Sequence, residues 1–129
     1  MATQLNDISI LVNNELIAYT ADSLTWSDGF GEYMIRSAVV GGAETEQIFS
    51  QDLASKVSKV SFSIPSTEQN DKLKRAWKVN RNANVIELIG NSGSTFSKIF
   101  TGATLLPDPE TNAGSDGNIE LEFSCNPAQ

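Results

Sequence analysis

The chain has 129 residues, 40% of them apolar, and a formal net charge of −7 from nine basic and sixteen acidic side chains. That length suits one domain spanning residues 1–129, and folding would bury roughly two thirds of the unfolded surface. The composition includes no histidine and one cysteine, Cys125. These exclude an intrachain disulfide, an ordinary zinc site and a histidine-assisted nucleophile, so neither an enzyme nor a cofactor is expected. No apolar run approaches the ~18 residues of a membrane span, and MATQLNDIS lacks the features of a secretion signal, so a soluble protein made in the cytosol, without membrane contact, is expected.

In chain order, Ile8 to Val12 and Leu16 to Tyr19 flank Asn13-Asn14, which tolerates the positive φ angles of a tight turn, and so predict a hairpin. Both arms are apolar on both faces, which implies cover from the core on one side and from a helix or neighbouring subunit on the other. Asp22 to Gly31 reads as a turn region around Trp26, with Gly29 and Gly31 permitting sharp bends about Phe30. Tyr33 to Val40 reads as a strand. Gly41-Gly42 breaks it, and a long loop is predicted from there until Lys56. Ile48, Phe49 and Leu53 are awkward to leave in water; they predict either a partner or a loop tucked onto its own domain.

Val60, Phe62 and Ile64 alternate with Ser61 and Ser63 and predict a half-buried strand ended by Pro65. Ser66 as N-cap with Gln69 in a capping box predicts a helix over about residues 67–79. Leu73, Ala76 and Trp77 form a narrow apolar stripe on it, flanked by Lys72, Lys74, Arg75 and Lys78. Burying Trp77 against a sheet would supply up to roughly 4 to 6 kcal/mol. Arg81 to Asn84 is a turn and Val85 to Ile89 a short central strand. Gly90 to Ser94 is a flexible turn that lacks the Lys-Ser or Lys-Thr of a phosphate loop.

Phe96 to Leu106 continues as strand. The polar loop after it contains Asp108, Glu110 and Asp116, whose spacing does not match an EF-hand. The final strand, Asn118 to Cys125, sets Ile119, Leu121 and Phe123 against Glu120, Glu122 and Ser124, with Cys125 a small residue near its end. Glu120 and Glu122 would stand roughly 7 Å apart on one face, an arrangement typical of a solvated surface rather than of a catalytic pair.

About seven strands and one helix imply a mainly β domain: a β-sandwich or barrel of two packed sheets with a flanking α-helix. Its charge is lopsided. Five of nine cations, Lys72, Lys74, Arg75, Lys78 and Arg81, cluster in and just past the helix, and none follows Thr101. Because Trp77 shares a stripe with Leu73 and the rest of the chain is acidic, these cations are expected to dock an acidic partner surface rather than nucleic acid.

The succession MIRSAVVGGAETEQIFSQDL, KVSFSIPSTEQNDKLKRAWKVN, NVIELIG and GSDGNIELEFSCNPA, preceded by the early hairpin, resembles the tail tube proteins of contractile-tailed bacteriophages. The resemblance lies in the order of short phrases over nearly the whole chain. It implies homo-hexameric rings stacked into a hollow tube, a sheath protein outside, and tape-measure protein and then DNA in the lumen, in a virion tail made in the host cytoplasm. It further implies that the segment from Gly41 and Gly42 to Ala54 reaches the adjacent ring and buries Ile48, Phe49 and Leu53 between subunits. An acidic lumen, with Glu120 and Glu122 or the polar faces of the strands flanking the long loop as candidates, would let DNA slide without sticking. Set against that family the chain reads as short, and no extra terminal arm or decorating domain is expected. The same fold serves the tubes of bacterial secretion and bacteriocin particles, and a monomeric β-sandwich binding module is the alternative of another class.

Overall fold

A computed structural model describes residues 7–40, 44–52, 56–90 and 95–127, with the backbone alone for 32–40 and 44–52. The elements are β1 Ser9–Val12, β2 Glu15–Ile17, β3 Thr25–Ser27, β4 Glu32–Val40, β5 Glu44–Asp52, β6 Ser58–Pro65, α1 Glu68–Val79, a 3₁₀ turn Arg81–Ala83, β7 Asn84–Ile89, β8 Ser97–Leu105 and β9 Asn118–Cys125. The chain is mainly β with a single α-helix among the described residues.

The expected mainly β domain with one flanking helix is present, while two packed sheets are not seen in it. Seven strands form one antiparallel sheet in the order β2-β1-β7-β8-β9-β6-β3, and β4 with β5 forms a separate two-stranded ribbon. The cause of the continuity lies in β8. Its first half pairs with β7, from Ser97 opposite Ile89 to Phe100 opposite Ile86; its end pairs with β9 through Thr104 and Leu105. Between them the register shifts, with Asn84 opposite Ala103, and Gly102 adopts φ +62°. A bulge with glycine in the left-handed region bends a strand and increases its twist, so one strand serves both halves.

The bent sheet curls toward closure. Thr20, just past the β2 edge, donates its amide to the Ser63 carbonyl on β6 (2.7 Å), and its hydroxyl donates to Asn118 Oδ1 (2.9 Å). Trp26 on β3 packs against Phe96 at the head of β8, ring centroids 5.5 Å apart, and Asp28 pairs with Lys98. Within the sheet those strands are three places apart. Curling turns alternate residues inward, where Ile10, Val12, Val60, Phe62, Ile64, Ile86, Leu88, Phe100, Leu105, Ile119, Leu121 and Phe123 are all buried in one cluster. Each such side chain contributes about 1.5–3 kcal/mol relative to exposure.

Helix α1 closes the remaining side. Trp77 is buried and meets the ring of Phe123 edge-on at 6.1 Å, and Phe123 in turn stacks on Phe62. Leu73 is half-buried beside it. The cap lies one residue later than the Ser66–Gln69 expectation: Thr67 has extended backbone and its hydroxyl accepts from the Asn70 amide (3.1 Å). Ser66 is held back because its own amide donates to the Gly117 carbonyl (3.0 Å), keeping it in register with the end of the preceding strand. Asn70 Nδ2 then donates to the Pro65 carbonyl in place of the expected glutamine contact.

The long loop expected after Gly42 is mostly strand. β5 pairs with β4 over nine residues, from Glu32 opposite Asp52 to Val40 opposite Glu44. The polar stretch ETEQIFSQD has no clean two-residue period, and pairing to β4 supplies the extended structure that the pattern alone does not. Gly41, Gly42 and Leu53 lie outside the described residues.

Candidate assembly surfaces

Four surfaces remain after the core is built. The first is the β4–β5 ribbon, which among the described residues makes no extensive contact with another element. Ile48 sits opposite Arg36 and Phe49 opposite Ile35 in its register.

Helix α1 supplies the second, and its four expected docking cations divide into two sets. Lys74 pairs with Asp71 (2.9 Å) and donates to the Thr111 hydroxyl (3.1 Å), and Lys78 donates to the carbonyls of Leu105 (2.6 Å) and Leu106 (2.9 Å). These two fasten the helix to the strand and loop beside it. Their side of the helix holds the Asp71 carboxyl below its ordinary range, first through the Lys74 hydrogen bond. Lys72 and Arg75 are on the other side, with side chains 75% and 78% exposed; Lys72 is 3.9 Å from Glu68 and Arg75 3.2 Å from Asp71. There a groove opens between α1 and the β1–β2 hairpin, floored by Val12, Leu73, Ala76 and Trp77, with Glu15, Arg75 and Val79 at its margin. Val79 is 80% exposed. As the next position on the stripe after Ala76, it is a residue the helical period could have flagged.

The third surface is the outward face of β2-β1-β7-β8. Leu16 lies opposite Leu11, which lies opposite Glu87, which lies opposite Ile99. Leu16, Val85, Ile89 and Ile99 are exposed. The hairpin arms were expected to need cover on both sides, and in a single copy their outer residue Leu16 has little. Val85, Ile89 and Ile99 belong to the same face, a continuity visible only once the register is known.

The fourth is acidic. Glu120 and Glu122 point outward from β9, opposite Ser63 and Ser61 on β6, and join Asp108, Glu110 and Ser23 around an open concavity. The loop is laid there by pairing of the Glu120 amide with the Glu110 carbonyl and by a bridge from Thr111 to Ile119. Among the described residues no three acidic, cysteine or histidine side chains converge as metal ligands, and no helix is long and apolar enough to cross a membrane. Cys125 is buried, which pushes its thiol up to about 11.

No protein-family model matches the sequence, and no curated protein matches it in a sequence search. Solved structures do share its fold. A chain of the sheath–tube complex of an extracellular contractile injection system, PVC, in its extended state superposes with a TM-score of 0.62 at 9% identity, covering 99% of this chain and 90% of that one. The cap that terminates the tube of the anti-feeding prophage superposes with a TM-score of 0.61 at 11% identity, covering all of this chain and 93% of that one.

Proposed function

We propose that this chain is a structural subunit of the inner tube of a contractile particle, in which six copies close a ring and rings stack into a hollow conduit inside a sheath. The observation that carries the reading is the β4–β5 ribbon, standing apart from the main sheet within a fold that matches tube-apparatus structures end to end. An isolated two-stranded ribbon is marginal in water, and an outward apolar sheet face is a hazard in a monomer; both are resolved when neighbouring copies cover them. The ribbon, whose β5 strand includes Ile48 and Phe49, is then the part that reaches between subunits, while Leu73 and Trp77 hold the helix to the core of its own copy.

As the tube of a contractile phage tail, it houses the tape-measure protein and then conducts DNA into the host. Each copy adds seven negative charges in excess, so a lumen bearing Glu120 and Glu122 repels the phosphate backbone over a Debye length of about 10 Å at 0.1 M salt. DNA passes without binding. A tube of an extracellular injection particle is the second reading, favoured by the particles to which the fold corresponds.

Electron microscopy and sedimentation of the concentrated protein test the proposal. Six-fold rings or tubes are expected. A monomer at every concentration overturns it and returns the chain to the class of small binding modules.

A further inference from the structure

We infer that the cavity walled by Ile8, Tyr19, Leu24 and Trp26 and rimmed by Asp7 and Asp22 binds an organic cation, an alkylammonium or alkylguanidinium group. The inference goes beyond the tube reading and stands without it.

The cavity forms where the chain crosses from one edge strand of the sheet to the other. After β2 it passes through Tyr19, turns at Thr20 to Ser23 and enters β3, where Trp26 lies opposite the buried Val60. Each wall is fastened. The Tyr19 hydroxyl donates to the Ile8 carbonyl, the Thr20 amide donates to the Ser63 carbonyl (2.7 Å), and the Ser63 amide donates to the Ser23 hydroxyl (3.1 Å). Trp26 is backed by Phe96. Ile8 is buried while Tyr19, Leu24 and Trp26 are half-buried, and the space they leave is a cavity of about 370 Å³ that opens to solvent. Walls fixed in advance lose little conformational freedom when a ligand enters.

The chemistry of the lining selects the ligand. Asp7 and Asp22 are exposed at the mouth, and no basic side chain lines it. Among the described residues neither carboxylate has an ion-pair partner. Burial first, then the negative charges of Asp7 and Asp22, push the Tyr19 phenol above its ordinary value, so both carboxylates bear on one ring. Two unpaired carboxylates beside a tryptophan and a tyrosine favour a positive charge, and the apolar floor of Ile8 and Leu24 favours a carbon stem behind it.

Other ligand classes fit worse. A phosphate or carboxylate would be repelled. A bare divalent cation finds too few ligands, since no three acidic side chains converge as a metal site among the described residues. A neutral apolar molecule would strip water from the carboxylates without replacing it. The volume lies near the lower end for ligand cavities, which suits a single side chain or a small amine. The concavity at Glu120 and Glu122 is also acidic, but its one aromatic residue, Phe62, is buried and offers no comparable wall.

Titration of the dilute full chain with N-acetyl-arginine amide, N-acetyl-lysine amide and spermidine, followed by NMR through the indole N–H resonances, tests the site. Trp26 reports on the cavity, and the buried Trp77 is the internal control. A saturable shift is expected at Trp26 alone, with binding at least about tenfold weaker for N-acetyl-citrulline amide, which keeps the shape of arginine without its charge. Tighter binding of an amino-acid derivative assigns the cavity to a side chain of a protein partner, and tighter binding of spermidine assigns it to a free polyamine; both support the site. Asp7→Asn with Asp22→Asn should weaken binding at least about tenfold. Both positions have positive φ (52° and 63°), which asparagine tolerates as aspartate does, so the backbone is kept. Glu120→Gln with Glu122→Gln removes as much charge elsewhere and should change affinity by less than about twofold, because distant exposed charge is screened. Three results overturn the site: a Trp26 resonance that saturates with none of the cations, citrulline binding as well as they do, or an equal loss in the Glu120/Glu122 and Asp7/Asp22 variants. The comparison with citrulline uses the wild-type chain, so it decides the matter even where a substitution unfolds the protein.

Discussion

Asn13 Nδ2 donates to Asn84 Oδ1 at 3.1 Å, joining the tip of the first hairpin to a fully buried asparagine seventy-one residues later. The bond is one of five at Asn84. Its Oδ1 also accepts from Asn80 Nδ2, and its Nδ2 faces the carbonyls of Trp77, Arg81 and Ala103 at 2.9–3.1 Å. One amide thus ties the hairpin, the C-terminal end of α1, the 3₁₀ turn and the bulged region of β8. Asn13 completes the clamp by accepting from the Val85 amide (2.9 Å).

Replacing Asn84 should therefore cost more than its size suggests. Asn84→Ala leaves buried carbonyls unpaired, each worth about 1–3 kcal/mol, and a loss of at least about 3 kcal/mol is expected in urea unfolding. Asn84→Asp should be worse, because a carboxylate oxygen would face those carbonyls. Asn13→Ala should cost about 1–2 kcal/mol, and a double-mutant cycle should return a coupling near 1 kcal/mol. Additive effects of the two changes would mean that the clamp is not a unit.

Trp77→Ala removes the contact between helix and Phe123 and should destabilise by about 3–5 kcal/mol, with helical circular dichroism lost before the β signal. Leu73→Ala, half-buried at the groove, should cost less. Equal losses for the two would place the helix anchor elsewhere on the stripe.

Two glycines with positive φ should respond differently to alanine. At Gly29 (φ +80°) an added Cβ would lie 3.0 Å from Pro127 Cα and 3.1 Å from the Ser58 amide, both backbone atoms. At Gly102 (φ +62°) it would meet only the end of the Asn126 side chain, which can swing away. Gly102→Ala should therefore cost about 1–2 kcal/mol, the penalty of left-handed backbone alone, and Gly29→Ala measurably more. Thermal melts of the two variants decide the order.

The strands with strict alternation were legible from sequence because burial on one face leaves a two-residue imprint. β6 and β9 show this best: Val60, Phe62 and Ile64 against Ile119, Leu121 and Phe123. The Asn13-Asn14 turn was legible because its residues are chosen by backbone, with φ of 53° and 67°. The second strand of the ribbon was not, since Glu44 to Asp52 borrows its conformation from pairing with β4 and carries no period of its own. Nor was the single continuous sheet, which depends on one glycine at Gly102 inside what reads as an ordinary strand. The surfaces followed the same division. The basic helix was evident from composition, but that Lys74 and Lys78 fasten it while Lys72 and Arg75 remain outward depends on where Leu105, Leu106 and Thr111 lie.

Burial of Cys125 raises its thiol pKa to about 11 from an unfolded value near 9. With the folded pKa the higher, this group's contribution is complete below pH 9 and declines as pH rises through 11. Stability measured from pH 8 to 11 should fall less steeply for Cys125→Ala, once its constant offset is removed. In native protein at pH 8 the thiol should resist alkylation and react only as fast as the chain opens. Rapid modification by iodoacetamide without unfolding would contradict the burial.

The two sets of helix cations separate folding from assembly. Lys78 donates to two main-chain carbonyls at the end of β8, so Lys78→Met should lower monomer stability by about 1–3 kcal/mol, since charge-assisted bonds are lost and the one to Leu105 is part-buried. Lys72 is 75% exposed with a 3.9 Å partner, a geometry worth almost nothing, and Lys72→Met should leave the unfolding midpoint within error. Assembly should order them the other way at matched folded fraction: the Lys72 variant needs more protein to form tubes, and the Lys78 variant, below its melting temperature, does not. Low salt should widen the Lys72 effect and 0.5 M salt should nearly erase it, because exposed charge pairs are screened over a few ångströms there. A Lys78→Met variant of unchanged stability that fails to assemble would mean that this cation, too, faces a neighbour.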